Sequence, residues 1–119
     1  MYNFDLRESY RMILNKTKKS IISKKEKICT STPSQALGLM FQPKRNLIMI
    51  FEFETKINLH MFFVFFPIDV LVVDAHLKIV EIKRNFRPWT FWSSTLKGKY
   101  VVELGFRGKY EEGDEITLS

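Results

Sequence analysis

A chain of 119 residues with a single cysteine, Cys29, cannot form an internal disulfide. Its 45% hydrophobic and 27% charged residues exclude a disordered chain and fit one globular domain, residues 1–119, with a core of its own. The net charge of +6 is unevenly placed: residues 1–30 hold eight Lys or Arg, whereas Glu111, Glu112, Asp114 and Glu115 crowd the end. That basic segment fits a solvated edge hairpin whose lysines discourage strand-to-strand aggregation; the sharper alternative is attraction to nucleic acid or another polyanion. Residues 1–10 lack the apolar stretch of a secretory signal. The longest apolar run falls short of the roughly 20 residues a membrane helix needs. A cytoplasmic protein without a membrane partner is expected.

In chain order, residues 1–9 show no pattern and are expected as a loose tail or a short helix. Residues 10–14 and 20–23 flank the polar 15–19, which predicts a hairpin, with the basic residues 24–28 extending its second strand. Thr32-Pro33-Ser34-Gln35 has the cap, the first-turn proline and the capping-box glutamine of a helix start, so a short helix is expected near 33–37, ended by Gly38. Pro43-Lys44-Arg45-Asn46 predicts a turn into a strand over 47–51 with both faces buried, and Glu54-Thr55-Lys56 the next turn.

Residues 59–74 are the centre of the chain. Only His60, Pro67 and Asp69 interrupt the apolar residues between 59 and 73, and β-branched and aromatic side chains favour extended backbone. Pro67 lacks an N–H for a ladder, so it is expected to divide the run into two strands, and apolar residues at both parities imply that both faces are covered. Asp74-Ala75-His76 predicts a hairpin turn before 77–82, where the alternation slips at Ile79-Val80, a bulge. Residues 83–99 read as a long irregular segment. Strands over 100–104 and 115–118, with a turn at Gly113-Asp114, close the sheet. The fold class is mainly β, α+β at the margin: a compact antiparallel barrel or sandwich with one short helix.

The ordered set Gly38-Leu39-Met40, Met49-Ile50-Phe51, Met61, Pro67-Ile68-Asp69, Val73-Asp74, Pro88-Trp89, Val102-Glu103-Leu104 and Gly113-Asp114 resembles the domain of unknown function 192 family, small β-rich domains of bacteria and archaea. The resemblance covers about 12–118. Family members usually carry an aromatic-Met-Lys-Asn-Thr type segment before Pro-Leu-Asp; here those positions read His60-Met61-Phe62-Phe63-Val64, apolar where the family is polar. The resemblance implies a fold and no activity.

Among residues that could carry chemistry, Asp69 stands out, because a carboxylate in an apolar run is costly unless hydrogen-bonded or paired. It either works as a general base or ligand contact, or accepts backbone N–H groups around the Pro67 corner; the structural role is favoured. Glu103, mid-strand, could approach Asp69 and make a catalytic dyad conceivable. His60 and His76 belong to no spaced His/Cys cluster, so no metal site is expected; His60 reads as a satisfied, partly buried group and His76 as solvated. No phosphate loop, nucleophile elbow or cofactor signature appears.

Residues 83–92, Lys-Arg-Asn-Phe-Arg-Pro-Trp-Thr-Phe-Trp, interleave cations with rings. Lys83, Arg84, Arg87, Trp89 and Trp92, with His60, form the binding candidate: cations meet phosphates or carboxylates while rings stack. The competing reading has Trp89 and Trp92 sealing one end of the barrel. The leading expectation is thus a non-enzymatic binding module for a small anionic ligand or a protein partner. The alternatives are a hydrolase-like enzyme with Asp69 as acid/base, and nucleic-acid binding through the basic hairpin.

Overall fold

The structure, a computed structural model, describes residues 10–29, 40, 44–106 and 108–118, and the side chains among these other than 10–11 and 24–29. The expected helix near 33–37 and the tail over 1–9 lie outside the described residues. Among the described residues seven strands, β1 (Tyr10–Asn15), β2 (Ser20–Cys29), β3 (Asn46–His60), β4 (Ile68–Val73), β5 (Ile79–Phe86), β6 (Phe91–Leu104) and β7 (Ile116–Leu118), form one sheet in the order β5-β4-β6-β3-β2-β1-β7. The pairs are antiparallel except β2 with β3, which run parallel from Lys27 opposite Leu47 to Cys29 opposite Met49. The expected antiparallel, mainly β architecture thus holds, with this one short parallel pairing added to it. The two ends of the sheet meet at one isolated bridge, Lys78 to Glu115, so the fold is sandwich-like and not a closed barrel.

The apolar residues at both parities do bury on both faces. Leu47, Met49, Val70, Val72 and Val101 lie in one core with Met61, Val64 and Phe86. Ile48, Leu71, Val73, Val102 and Leu104 lie in a second with Ile13, Ile79 and Ile116. Each full burial is worth roughly 1.5–3 kcal/mol, which makes β4 and the facing part of β6 the energetic centre of the molecule.

The 15–19 hairpin turn and the bulge at Ile79-Val80 are where the sequence places them: Val72 pairs with Glu81 and Val73 with Ile79, skipping Val80. The 59–74 run divides differently. β3 ends at His60, and residues 61–67 are not a strand, because the chain leaves the sheet to lay Met61 and Val64 over the first core. Glu54-Thr55-Lys56 is not a turn but the exposed middle of β3, where the register with β6 shifts between Ile50 and Thr55. Polarity there marks a strand that has run past the core. Most of 83–99 is likewise strand, in β5 and β6, with only a short turn over 87–90.

The basic hairpin and the acidic end neutralise each other. Lys16 reaches Glu115 at 4.0 Å and Lys18 reaches Glu111 at 3.5 Å and Asp114 at 3.3 Å. Beneath them the buried Asn15 donates to Asp114 Oδ2 at 2.8 Å and to the Lys109 carbonyl at 3.0 Å, and accepts the Lys18 N–H at 3.0 Å. Burial alone would raise the Asp114 pKa; the bonds from Asn15, the Glu111 N–H and Lys18 outweigh it and hold the carboxyl below its usual range. Asn15→Ala removes the partner of the Lys109 carbonyl and of the Lys18 N–H and one of the bonds to Asp114 Oδ2, and is expected to cost about 2 kcal/mol in urea denaturation. Because the folded Asp114 pKa is depressed, its contribution is present above the ordinary carboxylate pKa and fades as pH falls through the folded value, so the Asn15→Ala deficit shrinks in acid.

Candidate functional site

The site begins at a second bulge. Ile68 pairs with Phe86 and Val70 with Lys83, so Arg84 and Asn85 together stand opposite Asp69. Asn85 takes the left-handed conformation, φ 51°, which asparagine tolerates better than most side chains. Its N–H, taken out of the ladder by the bulge, donates to Asp69 Oδ1 at 2.9 Å. Asp69 Oδ2 accepts the Tyr110 hydroxyl and has Arg84 Nη1 at 3.7 Å. Arg84 Nη2 donates to the Tyr110 carbonyl at 2.9 Å, with its guanidinium 5.1 Å from the centre of the Tyr110 ring. Burial, then the bond to Asp69, pushes the Tyr110 hydroxyl well above its ordinary pKa, so it stays a proton donor.

Beside this clamp opens a cleft of about 300 Å³, lined by Lys44, Pro67, Asp69, Asn85, Gly105 and Phe106 among others. Its far wall depends on Gly105, whose N–H donates to the Arg45 carbonyl at 3.2 Å and where an added Cβ would lie 2.7 Å from that same oxygen. The next residue is anchored by the buried Asn46, which accepts the Phe106 N–H at 3.1 Å and donates to Ser23 Oγ at 2.9 Å. Phe106 is 53% exposed, and the Lys44 ammonium stands 5.1 Å from its ring centre. A cation beside an exposed aromatic face suits an anion carried on a planar or apolar body.

Asp69 is held as a structural acceptor, but its partners are the β5 bulge and Tyr110, not the Pro67 corner. Glu103 does not join it. Asp69 is level with Leu104 and Glu103 with Val70, so on adjacent strands the two carboxylates point to opposite faces of the sheet. Burial raises the Glu103 pKa to about 7. The 83–92 candidate splits. Arg84 belongs to the Asp69 clamp; Lys83 is half-buried on β5; Arg87 and Trp89 sit in the exposed turn; Trp92 is half-buried against the first core, its ring 6.4 Å from Phe86. Trp92 packs onto the core and Trp89 stays in the exposed turn. His60 is exposed, not partly buried, and accepts the Phe62 N–H on Nδ1 at 3.2 Å. Lys44, Phe106 and Tyr110 escaped sequence reasoning; the one available signal was a cation and a ring each beside a turn residue, Pro43 and Gly105.

A model of the DUF192 family, described as an uncharacterized ACR, matches residues 12–116. A UPF0127 protein of Pyrococcus horikoshii is 34% identical over 113 residues, covering 88% of this chain and 96% of its own. Another, from Thermococcus sibiricus, is 36% identical over 96 residues, 77% of this chain and 62% of its own length. In structure, a Sinorhizobium meliloti protein provisionally assigned as a transcription regulator matches with a TM-score of 0.79 at 17% identity, covering 92% of each chain. A Novosphingobium aromaticivorans protein of unknown function matches with a TM-score of 0.76, also at 17% identity, over 91% of this chain and 83% of its own. At such identities the likeness is one of fold.

Proposed function

The chain belongs to the DUF192 family, and since that membership brings a fold without a reaction, we propose from the geometry of this chain that it is a non-enzymatic binding module for a small anionic ligand, held in the cleft beside Asp69. The observation that carries the reading is the cleft itself: about 300 Å³, open, with Lys44 and the exposed Phe106 ring on its wall. That volume lies at the small end of known ligand sites. Lys44 supplies the charge and Phe106 the stacking face, while the Asp69 clamp fixes the floor. Asp69 suits positioning better than proton transfer, because both its oxygens already accept hydrogen bonds. Opposite-face placement of Glu103 speaks against a hydrolytic pair with Asp69.

The proposal is tested by thermal shift against a panel of mono- and dicarboxylates, inorganic phosphate and nucleoside monophosphates. At least one class is expected to raise the melting temperature of the wild type, with the shift lost in Lys44→Ala and reduced in Phe106→Ala but kept in Trp89→Ala. A shift lost in Trp89→Ala and kept in Lys44→Ala would move the site to the 87–90 turn. No shift with any class would remove the reading.

A further inference from the structure

At the far end of the β3–β6 ribbon, residues 61–66 lie against the 87–90 turn. Two backbone hydrogen bonds clamp them, Trp89 N–H to the Met61 carbonyl at 2.8 Å and Met61 N–H to the Thr90 carbonyl at 2.9 Å. The clamp turns rings outward: Phe63 is 39% exposed, Trp89 51%, Phe65 64% and Phe91 73%. Phe62 joins them, its ring 5.0 Å from Phe91 and 6.1 Å from Trp89, and Phe63 lies 5.1 Å from Trp89. Phe63 and Trp89 both have left-handed backbone, φ 61° and 67°, a conformation that costs a bulky L side chain about 1–2 kcal/mol. Strain and exposure coincide on one contiguous aromatic patch. Single exposed rings are ordinary, but a contiguous group of them marks a contact surface.

The charge pattern selects the occupant. Residues 55–68 and 82–94 contain no Asp or Glu. Arg84 is turned away to the Asp69 clamp, and Glu81 caps the backbone of Thr95 and Leu96. That leaves Arg87 as the cation beside the rings, with the exposed Lys56 and Lys97 further along the β3–β6 ribbon. Arg87 is exposed in the same turn as Trp89. An isologous contact between two copies would set Arg87 of each against the other with no Asp or Glu in the 61–66 and 87–91 segments to meet it. A stacking platform for nucleobases needs free ring faces. Here Phe63–Trp89, Phe65–Trp89 and Phe62–Phe91 meet edge to face at 68°, 70° and 77° and Phe62–Trp89 is tilted at 35°, so the rings form a cluster and not a row of parallel faces spaced for successive bases. A bilayer of anionic lipid satisfies both features, taking Phe and Trp at the acyl boundary and Arg and Lys at the phosphates. We infer that the Phe63–Phe65–Trp89–Phe91 patch is an interfacial site that seats the protein on an anionic lipid surface. No membrane partner is expected from the sequence, on the ground that no segment is long enough to span; among the described residues no helix is long and apolar enough to cross a membrane, and a surface site needs none.

The test is cosedimentation of the full chain with vesicles of phosphatidylcholine alone and with about a third phosphatidylglycerol. Retention is expected on the anionic vesicles, weakened roughly tenfold or more in the Phe65→Ser/Trp89→Ser double variant and a few-fold in Arg87→Gln. A blue shift of tryptophan emission on vesicle addition is expected in the wild type and absent in Trp89→Phe. Thermal melting checks that the double variant is folded; if it is not, Phe65→Ser alone serves, being on an exposed ring. No retention, equal retention on neutral vesicles, or retention unchanged in the folded variants would overturn the inference. So would self-association that Phe65→Ser abolishes without vesicle binding, which would give the patch to a second copy.

Discussion

Glu103→Gln is expected to stabilise the protein by about 3 kcal/mol at about pH 8 and to leave it nearly unchanged at about pH 4. Burial raises the folded pKa of Glu103 from 4.5 to about 7. Between those two values the unfolded chain has lost the proton and the folded chain keeps it, so the unfolded state binds fewer protons and stability falls as pH rises. Above about pH 7 both states are ionised and the full penalty is in place. Below the unfolded pKa both are neutral and the penalty disappears. Glutamine keeps the size and removes the charge. Urea denaturation of the two proteins across this range is therefore expected to give curves that meet in acid and separate steadily up to neutrality. Parallel curves would show that burial leaves the Glu103 pKa where it is in the unfolded chain.

Asp69→Ala is expected to cost about 3 kcal/mol, since it strands the Tyr110 hydroxyl, the Asn85 N–H and one partner of Arg84 at the same time. The Asp69 side chain is only 12% exposed; Asn85 and Arg84 are exposed and can turn to water, so most of the cost falls on the buried Tyr110 hydroxyl. Tyr110→Phe alone is expected to cost about 1–2 kcal/mol, and a double-mutant cycle to show coupling of at least about 1 kcal/mol, because the two substitutions remove one shared bond. Additive effects would mean that Asp69 holds the β5 bulge without help from Tyr110. A cost below about 1 kcal/mol for Asp69→Ala would contradict the clamp altogether.

How much of this the sequence carried depends on whether the cause was local. The 15–19 turn, the slip at Ile79-Val80 and the double burial of β4 are written in neighbouring residues, through turn chemistry and parity. The β3–β6 ribbon was misread because polar side chains on a strand that outruns the core look like turn residues. The cost of a carboxylate in an apolar run picked out Asp69, but its partners Asn85 and Tyr110 lie 16 and 41 residues away and were beyond any local pattern. The supposed Asp69–Glu103 pair failed for the same reason. Parity fixes each side chain's face only once the register between β4 and β6 is known, and that register is set by distant pairing. Lys44 and Phe106 come together through the Gly105–Arg45 contact, which neither turn announces by itself. The family's polar positions, apolar here as Phe62-Phe63-Val64, fall partly in the exposed aromatic patch and partly in the first core, and not in the cleft.

The most direct measurement of the cleft is an amide-resolved NMR titration with whichever anion class gives the largest thermal shift. Saturable changes are expected at Lys44, Asn85, Gly105 and Phe106, with the Trp89 and Arg87 amides unmoved and the response gone in Lys44→Ala. Changes centred on Trp89, or a response indifferent to Lys44, would contradict the cleft as the binding site.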